Sequence, residues 1–240
     1  MAKKEKKDKN TLERINNTIL GGAETAFVHW FERLAPDWVS PDMMTGIGMV
    51  GSLAIIIGYA LTSKSSNFLW LASLGFVLNW FGDSLDGNLA RIRHIERPRY
   101  GYFLDHTLDT ITMALVFIGV GLTPHIDMRV ALGTFTAYLM MNIYVYVNAQ
   151  VNKKFKISYA KLGPTEGRLM FIIANALMFF LPMKTVSILN FTLSYFDLFF
   201  CFWIVILLLM FTYNVFRNII ILYKEDPPRK YTRPHKSTGA

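Results

Sequence analysis

The sequence predicts an all-α protein, a polytopic membrane bundle of six transmembrane helices with an N-terminal amphipathic interfacial helix. Three observations carry that prediction. Of 240 residues, 52% are apolar and only 18% charged, a balance shifted away from that of soluble domains. The apolar residues gather in six stretches, each near the ~20 residues a bilayer core requires. The basic residues, which leave a net charge of +8, fall almost wholly at alternate ends of those stretches. So much apolar sequence excludes disorder. A lone cysteine, Cys201, excludes a disulfide scaffold. Nucleic-acid binding would explain the charge but not the apolar runs, so the lipid bilayer is the expected partner and nucleic acid is not.

In chain order, Met1 to Asn10 reads as a lysine-rich solvated tail suited to anionic headgroups. No short apolar segment with a small-residue cleavage site follows it, so it is not a signal peptide. Thr11 to Leu34 reads as the amphipathic helix. Leu12, Ile15, Ile19, Ala23, Phe27, Trp30 and Leu34 recur at steps of three and four on one face. Glu13, Arg14, Asn17, Glu24 and Glu32 occupy the other. Gly21-Gly22 interrupts its helix propensity.

The six spans run about Pro41 to Leu61, Asn67 to Ala90, Leu104 to Leu122, Val130 to Val151, Glu166 to Leu181 and Tyr195 to Leu222. Residues 1–36 form the tail and interfacial helix, 37–223 the membrane domain and 224–240 a C-terminal tail. Six spans put both termini on one side, together with every Lys and Arg except Lys64, Arg129 and Lys184. By the positive-inside rule that side is the cytoplasm.

Charged residues inside spans cost about 2.5 kcal/mol or more near the helix centre. Spans two and three nevertheless carry Asp83, Asp86, Asp105 and Asp109 near their cytoplasmic ends. Asp83, Asp86, Gly87 and Ala90 lie at i, i+3, i+4 and i+7 on one helix face. Gly101, Asp105 and Asp109 lie at i, i+4 and i+8 on another. A short basic loop joins the two helices, so they are antiparallel neighbours whose acidic stripes face each other. Close carboxylates in a low dielectric either take up protons or bind cations. Oxygen-only ligands select hard ions, Mg²⁺ or Mn²⁺. Four carboxylates suffice for two ions that also grip phosphate. Gly87 and Ala90 leave room for a bulky ligand. A divalent-cation transporter is the alternative from another class, because it too needs intramembrane acids.

The stretch Asp83-Ser-Leu-Asp86-Gly87-Asn-Leu-Ala90-Arg91, nine residues, then Gly101-x3-Asp105-x3-Asp109 resembles the signature of the CDP-alcohol phosphotransferase family, D-x2-D-G-x2-A-R-x8/9-G-x3-D-x3-D. Pro41-Asp42-Met43-Met44-Thr45 is similar to the family's P-N-x-x-T, with Asp42 where the family has Asn. The resemblance implies transfer of a phosphoalcohol group from a CDP-linked alcohol donor to a hydroxyl acceptor, with release of CMP. It implies two divalent cations on Asp83, Asp86, Asp105 and Asp109, with Asp105 and Asp109 also catalytic and Asp109 the general base. It places Gly87, Ala90, Arg91, Gly101, Asp42 and Thr45 on the substrate, and it suggests a homodimer.

Two stretches lean toward a CDP-aminoalcohol donor and a lipid acceptor. Leu104-Asp105-His106-Thr107-Leu108-Asp109 is similar to the F-D-H-x-x-D of aminoalcohol phosphotransferases, and Gly163-Pro164-Thr165-Glu166-Gly167 to a G-P-T-E-G of plant members. His106 and Glu166 join the candidate catalytic residues on that basis, and Arg168 the substrate-binding ones. The compact length instead matches prokaryotic phosphatidyltransferases, which use CDP-diacylglycerol and a polar acceptor of the inositol, glycerol phosphate or serine type. It makes a prokaryotic cytoplasmic membrane the expected location.

Overall fold

The computed structural model describes residues 13–15, 21–152, 154–156, 163–182, 184–188 and 191–228. Seven helices dominate them: α1 Gly21–Leu34, α2 Pro41–Leu61, α3 Phe68–Ile92, α4 Pro98–Gly121, α5 Met128–Asn152, α6 Pro164–Phe180 and α7 Tyr195–Glu225. The described residues form an all-α bundle of membrane type. α2, α3, α4, α5 and α7 are each long and apolar enough to cross a membrane. α6 has 17 residues, about 26 Å at 1.5 Å per residue, against a hydrocarbon core of ~30 Å. A count of six spans therefore rests on this shorter helix.

Four short strands were not expected. β1 Glu13–Ile15 pairs in parallel with β2 Lys154–Lys156, and β3 Thr185–Ile188 forms an antiparallel hairpin with β4 Phe191–Ser194 ahead of α7. The amphipathic helix is also shorter than the sequence pattern suggests. It begins at Gly21, and Glu13–Ile15 is extended; Leu12 and Ile19 lie outside the described residues. Its apolar residues point in two directions. Val28 is buried with Val39, Met44, Leu85 and Leu89, while Trp30 and Leu34 are 59% and 62% exposed, the exposure an apolar face turned to lipid would have. Phe27 and Phe31 meet Phe81 edge-on.

Helix ends follow local chemistry. Ser40 accepts from the Met43 amide at 3.2 Å and Pro41 opens α2, the residue types a helix start favours. At α7, Ser194 and Asp197 form a reciprocal capping box. The reversal after α3 needs no glycine. The amides of Ile95 and His94 donate to the carbonyls of Ala90 and Arg91, with His94 at φ 55°, a Schellman closure. It turns the chain back so that α4 runs antiparallel to α3.

Small residues set how α2 and α3 meet. A Cβ on Gly51 would lie 2.5 Å from the Asn79 backbone nitrogen, one on Gly58 2.6 Å from that of Ala72, and one on Gly75 2.7 Å from the Gly51 carbonyl oxygen. The two backbones touch along most of their length, the contact that small residues permit between membrane helices. The larger core cluster, with Ile55, Tyr59, Phe76, Val116 and Val120 among its buried residues, fills the half of the bundle away from the acids.

This close packing predicts a contrast between two glycines of one helix. Gly51→Ala forces backbone apart and should destabilise by about 1–3 kcal/mol or more. At Gly46 an added Cβ meets nothing within 4 Å, so Gly46→Ala should be neutral or gain up to about 1 kcal/mol in helix propensity. Melting temperatures in detergent check both.

Candidate active site

The antiparallel turn between α3 and α4 brings the two acidic stripes together. Carboxylate oxygens of Asp83, Asp105 and Asp109 lie within 4.8 Å of one another. Asp86 is held separately. It accepts from the Thr45 hydroxyl of α2 at 2.8 Å and from its neighbouring Gly87 amide at 2.5 Å. A small pocket touches all four acids together with Thr45, Asn79 and Thr112. Three hard-oxygen donors at this separation, with a fourth alongside, fit a divalent ion such as Mg²⁺ or Mn²⁺.

Next to the acids a cavity of about 290 Å³ opens at the same edge of the bundle. Asp42, Thr45, Asp86, Gly87, Ala90, Arg91, Gly101, Asp105 and His106 all line it. The structure thus gathers around one hollow the substrate-contact candidates of the first, second and third spans. Each earns its place locally. Gly87 lies beneath the folded Arg91 guanidinium, 3.7 Å from where a Cβ would stand. Arg91 is steered by Asn88, whose side-chain oxygen accepts at 2.6 Å. Asp42 pairs with Arg97, so a bridge from the start of α2 reaches the loop before α4 across the cavity wall. Arg97 also lies 4.1 Å over the Tyr100 ring, a cation–π contact.

His106 stacks on Tyr102 with ring centroids 4.1 Å apart. Its Nδ1 is 2.9 Å from the Tyr102 carbonyl oxygen and 3.7 Å from the Asp105 carboxylate. Glu166 lines neither cavity. It is buried and accepts from the Gly163 amide at 2.9 Å, closing the first turn of α6. Arg168 is more deeply involved than its position in the sequence suggests. It is 3% exposed, donates to Asp83 at 2.7 Å and stands 3.9 Å from Asp109. Its Nε donates to the Asn79 side-chain oxygen at 2.7 Å. Asn79 in turn donates to Ser52, which shares a hydrogen bond of 2.8 Å with Thr112. A continuous polar chain therefore runs beneath the acids through α6, α3, α2 and α4.

Three participants escape sequence reasoning. Asn79 and Thr112 are single polar residues in apolar runs, and nothing in their spacing ties them to the acids. Arg93 reads in the sequence as one of many cationic residues at a membrane edge. Its guanidinium instead collects the carbonyls of Val39 at 2.7 Å, Ala35 at 3.1 Å and Pro36 at 3.3 Å, fixing the α1–α2 link to the end of α3. Asn148 of α5 likewise meets a distant partner, accepting from Asn218 of α7 at 2.5 Å.

Comparison with known proteins adds a family. A family model described as CDP-alcohol phosphatidyltransferase matches residues 38–203. Among curated proteins, the chain is 41% identical over 86 residues to phosphatidylinositol phosphate synthase of Cutibacterium acnes, covering 35% of this chain and 38% of that one. It is 31% identical over 107 residues to archaetidylinositol phosphate synthase of Methanothermobacter thermautotrophicus, covering 44% and 52%. It is 29% identical over 97 residues to cholinephosphotransferase 1 of Danio rerio, covering 38% and 25%. The chain thus aligns with between a quarter and about half of the length of these relatives.

Arg168 is the buried cation that faces the crowded carboxylates of Asp83 and Asp109. Arg168→Met should leave the half-exposed Asp83 and Asp109 carboxylates facing each other without a cation and destabilise the fold by about 1–3 kcal/mol. Thermal unfolding in detergent without divalent ions reads this directly, and an unchanged melting temperature would contradict the role.

Proposed function

The chain belongs to the CDP-alcohol phosphatidyltransferase family, and on that premise we propose that it transfers a substituted phosphate from a CDP-linked alcohol to a hydroxyl acceptor in membrane-lipid headgroup synthesis, releasing CMP. The observation that carries the proposal is the meeting of all four signature aspartates beside a cavity lined by Gly87, Ala90, Arg91 and Gly101.

Asp83, Asp86, Asp105 and Asp109 would hold two divalent cations, Mg²⁺ or Mn²⁺. When bound, such ions offset the charge of the pyrophosphate and of the departing phosphate. The chain's own groups do the rest. Arg91 lies on the cavity wall and provides a cation for a phosphate oxygen. Gly87 and Ala90 admit the nucleotide past the α3 backbone. Thr45 holds the Asp86 carboxylate in one orientation. The acceptor oxygen attacks the phosphorus that bears the alcohol and forms a new P–O bond. The P–O bond to CMP breaks, and CMP leaves with the electron pair. Asp109 takes the acceptor's proton as that bond forms. Arg168 keeps the Asp83 and Asp109 carboxylates apart and oriented. The basic edge that contains the site faces the cytoplasm on the charge argument.

Two substrate pairs meet this chemistry. His106, which lines the cavity beside Asp105, and the likeness to a cholinephosphotransferase support a CDP-aminoalcohol donor with a lipid acceptor. The likeness to two inositol phosphate synthases supports CDP-diacylglycerol with a polar acceptor. Cation transport is less well supported. Beyond Thr112 the continuing face of α4 presents the fully buried Val116 and Val120, which offer no ligand for an ion.

Purified protein in detergent with Mg²⁺ or Mn²⁺ should release CMP from a CDP-alcohol only when a hydroxyl acceptor is present. Asp105→Ala and Asp109→Ala should lower that release by a factor of at least about 10³, while the protein stays folded. Full activity in either variant would overturn the site. Lipid mass analysis across CDP-ethanolamine, CDP-choline and CDP-diacylglycerol separates the two substrate pairs.

A further inference from the structure

Glu24 belongs, by sequence pattern, to the polar face of an interfacial helix, where water would surround it. The structure turns it inward. One carboxylate oxygen accepts from the Ser84 hydroxyl of α3 at 2.5 Å, and the other from the Thr165 hydroxyl of α6 at 3.1 Å. An ionised carboxylate only accepts, through two oxygens pointing apart, so it can bind two hydroxyls on different helices at once.

The positions of those hydroxyls give the contact its meaning. Ser84 is buried and follows Asp83 directly. Thr165 precedes Arg168 by three residues, about one helical turn. Arg168 and Asp83 meet at 2.7 Å. Glu24, Ser84, Asp83, Arg168 and Thr165 therefore close a ring through α1, α3 and α6. One side of the ring is the ion pair at the aspartate cluster, and the opposite side is Glu24. Sliding α3 against α6 must break either the Arg168–Asp83 pair or one of the two Glu24 hydrogen bonds. The backbone anchors agree, because Val28 is buried in the Leu85 and Leu89 cluster and Arg93 grips the carbonyls that follow α1.

We propose that Glu24 is a positioning residue for the aspartate cluster: it sets the register of α3 against α6 and so makes the cluster's geometry depend on the seating of α1. The proposal rests on the divalent-ion reading of the site and adds to it a residue that touches neither ion nor substrate. Because Trp30 and Leu34 of the same helix are exposed, α1 presents an apolar surface outward while Glu24 reaches inward.

The test measures the melting temperature of the full chain in detergent against Mn²⁺ concentration, with no nucleotide present. In the wild type, Mn²⁺ should raise the melting temperature, and Asp105→Ala should abolish the rise. Glu24→Ala should move the Mn²⁺ midpoint up by about tenfold, the size seen when a group supporting metal ligands is lost. Its ion-free melting temperature should change far less than that of Arg168→Met. Glu24→Gln keeps one acceptor and gains a donor for the other hydroxyl, so it should restore most of the affinity. The double variant Ser84→Ala/Thr165→Val removes the same bonds from the other side and should reproduce Glu24→Ala, which covers the case in which that variant does not fold. A wild-type midpoint in both Glu24→Ala and the double variant overturns the positioning role alone. A wild type that does not respond to Mn²⁺, or a response that survives Asp105→Ala, overturns the divalent-ion reading and this proposal with it.

Discussion

Carboxylates brought within 4.8 Å of one another at the edge of a membrane bundle repel with an energy that water would largely screen and a protein interior does not. Asp83, Asp105 and Asp109 are half-buried, with side chains 27%, 33% and 41% exposed, so water screens their repulsion only in part; Asp86 stands beside them. Much of the surrounding structure compensates for that repulsion. Arg168 lies almost wholly buried against Asp83 and Asp109. Thr45 and the Gly87 amide donate to Asp86. One guanidinium cannot balance four carboxylates. The remaining negative charge is what the two proposed divalent ions would offset.

Holding such a cluster in place requires helices that do not slide. α2 and α3 meet through Gly51, Gly58 and Gly75, where a single added carbon would collide with backbone. Contacts of this kind have little tolerance and define one register. The buried chain of Arg168, Asn79, Ser52 and Thr112 then links α6 and α4 to that rigid pair. Buried as they are, these polar groups each need a partner, so the chain forms as a whole. Glu24 extends the same logic to α1.

How much of this was legible in the sequence depends on the physical origin of each feature. The spans follow from apolar run length, and the helices match them to within a few residues, except α4, which starts at Pro98 rather than near Leu104. Pro98 is a favoured first helical residue, and apolar run length does not register a polar first turn. The acidic stripes were legible because helical spacing alone puts i, i+3 and i+4 on one face. Glu24 was misread because periodicity separates polar from apolar faces without saying whether water or another helix covers the polar one. Asn79, Thr112 and Arg93 were invisible for a related reason: their partners are distant in sequence, and only the packing of α2 against α3 brings them together. Glu166 was singled out by a short resemblance, and its local helix-start pattern is visible in the cap it forms on α6. The hairpin of β3 and β4 carried no signal in run length or charge.

The central claim is that the aspartates are an ion site and not merely a buried polar cluster. Crystals of the full chain grown with Mn²⁺ and measured at the manganese absorption edge address it most directly. The account predicts two anomalous peaks about 3.5–4 Å apart, bounded by the side chains of Asp83, Asp86, Asp105 and Asp109. Crystals that show no anomalous density among these four residues at saturating Mn²⁺, or peaks only at surface carboxylates, would contradict it.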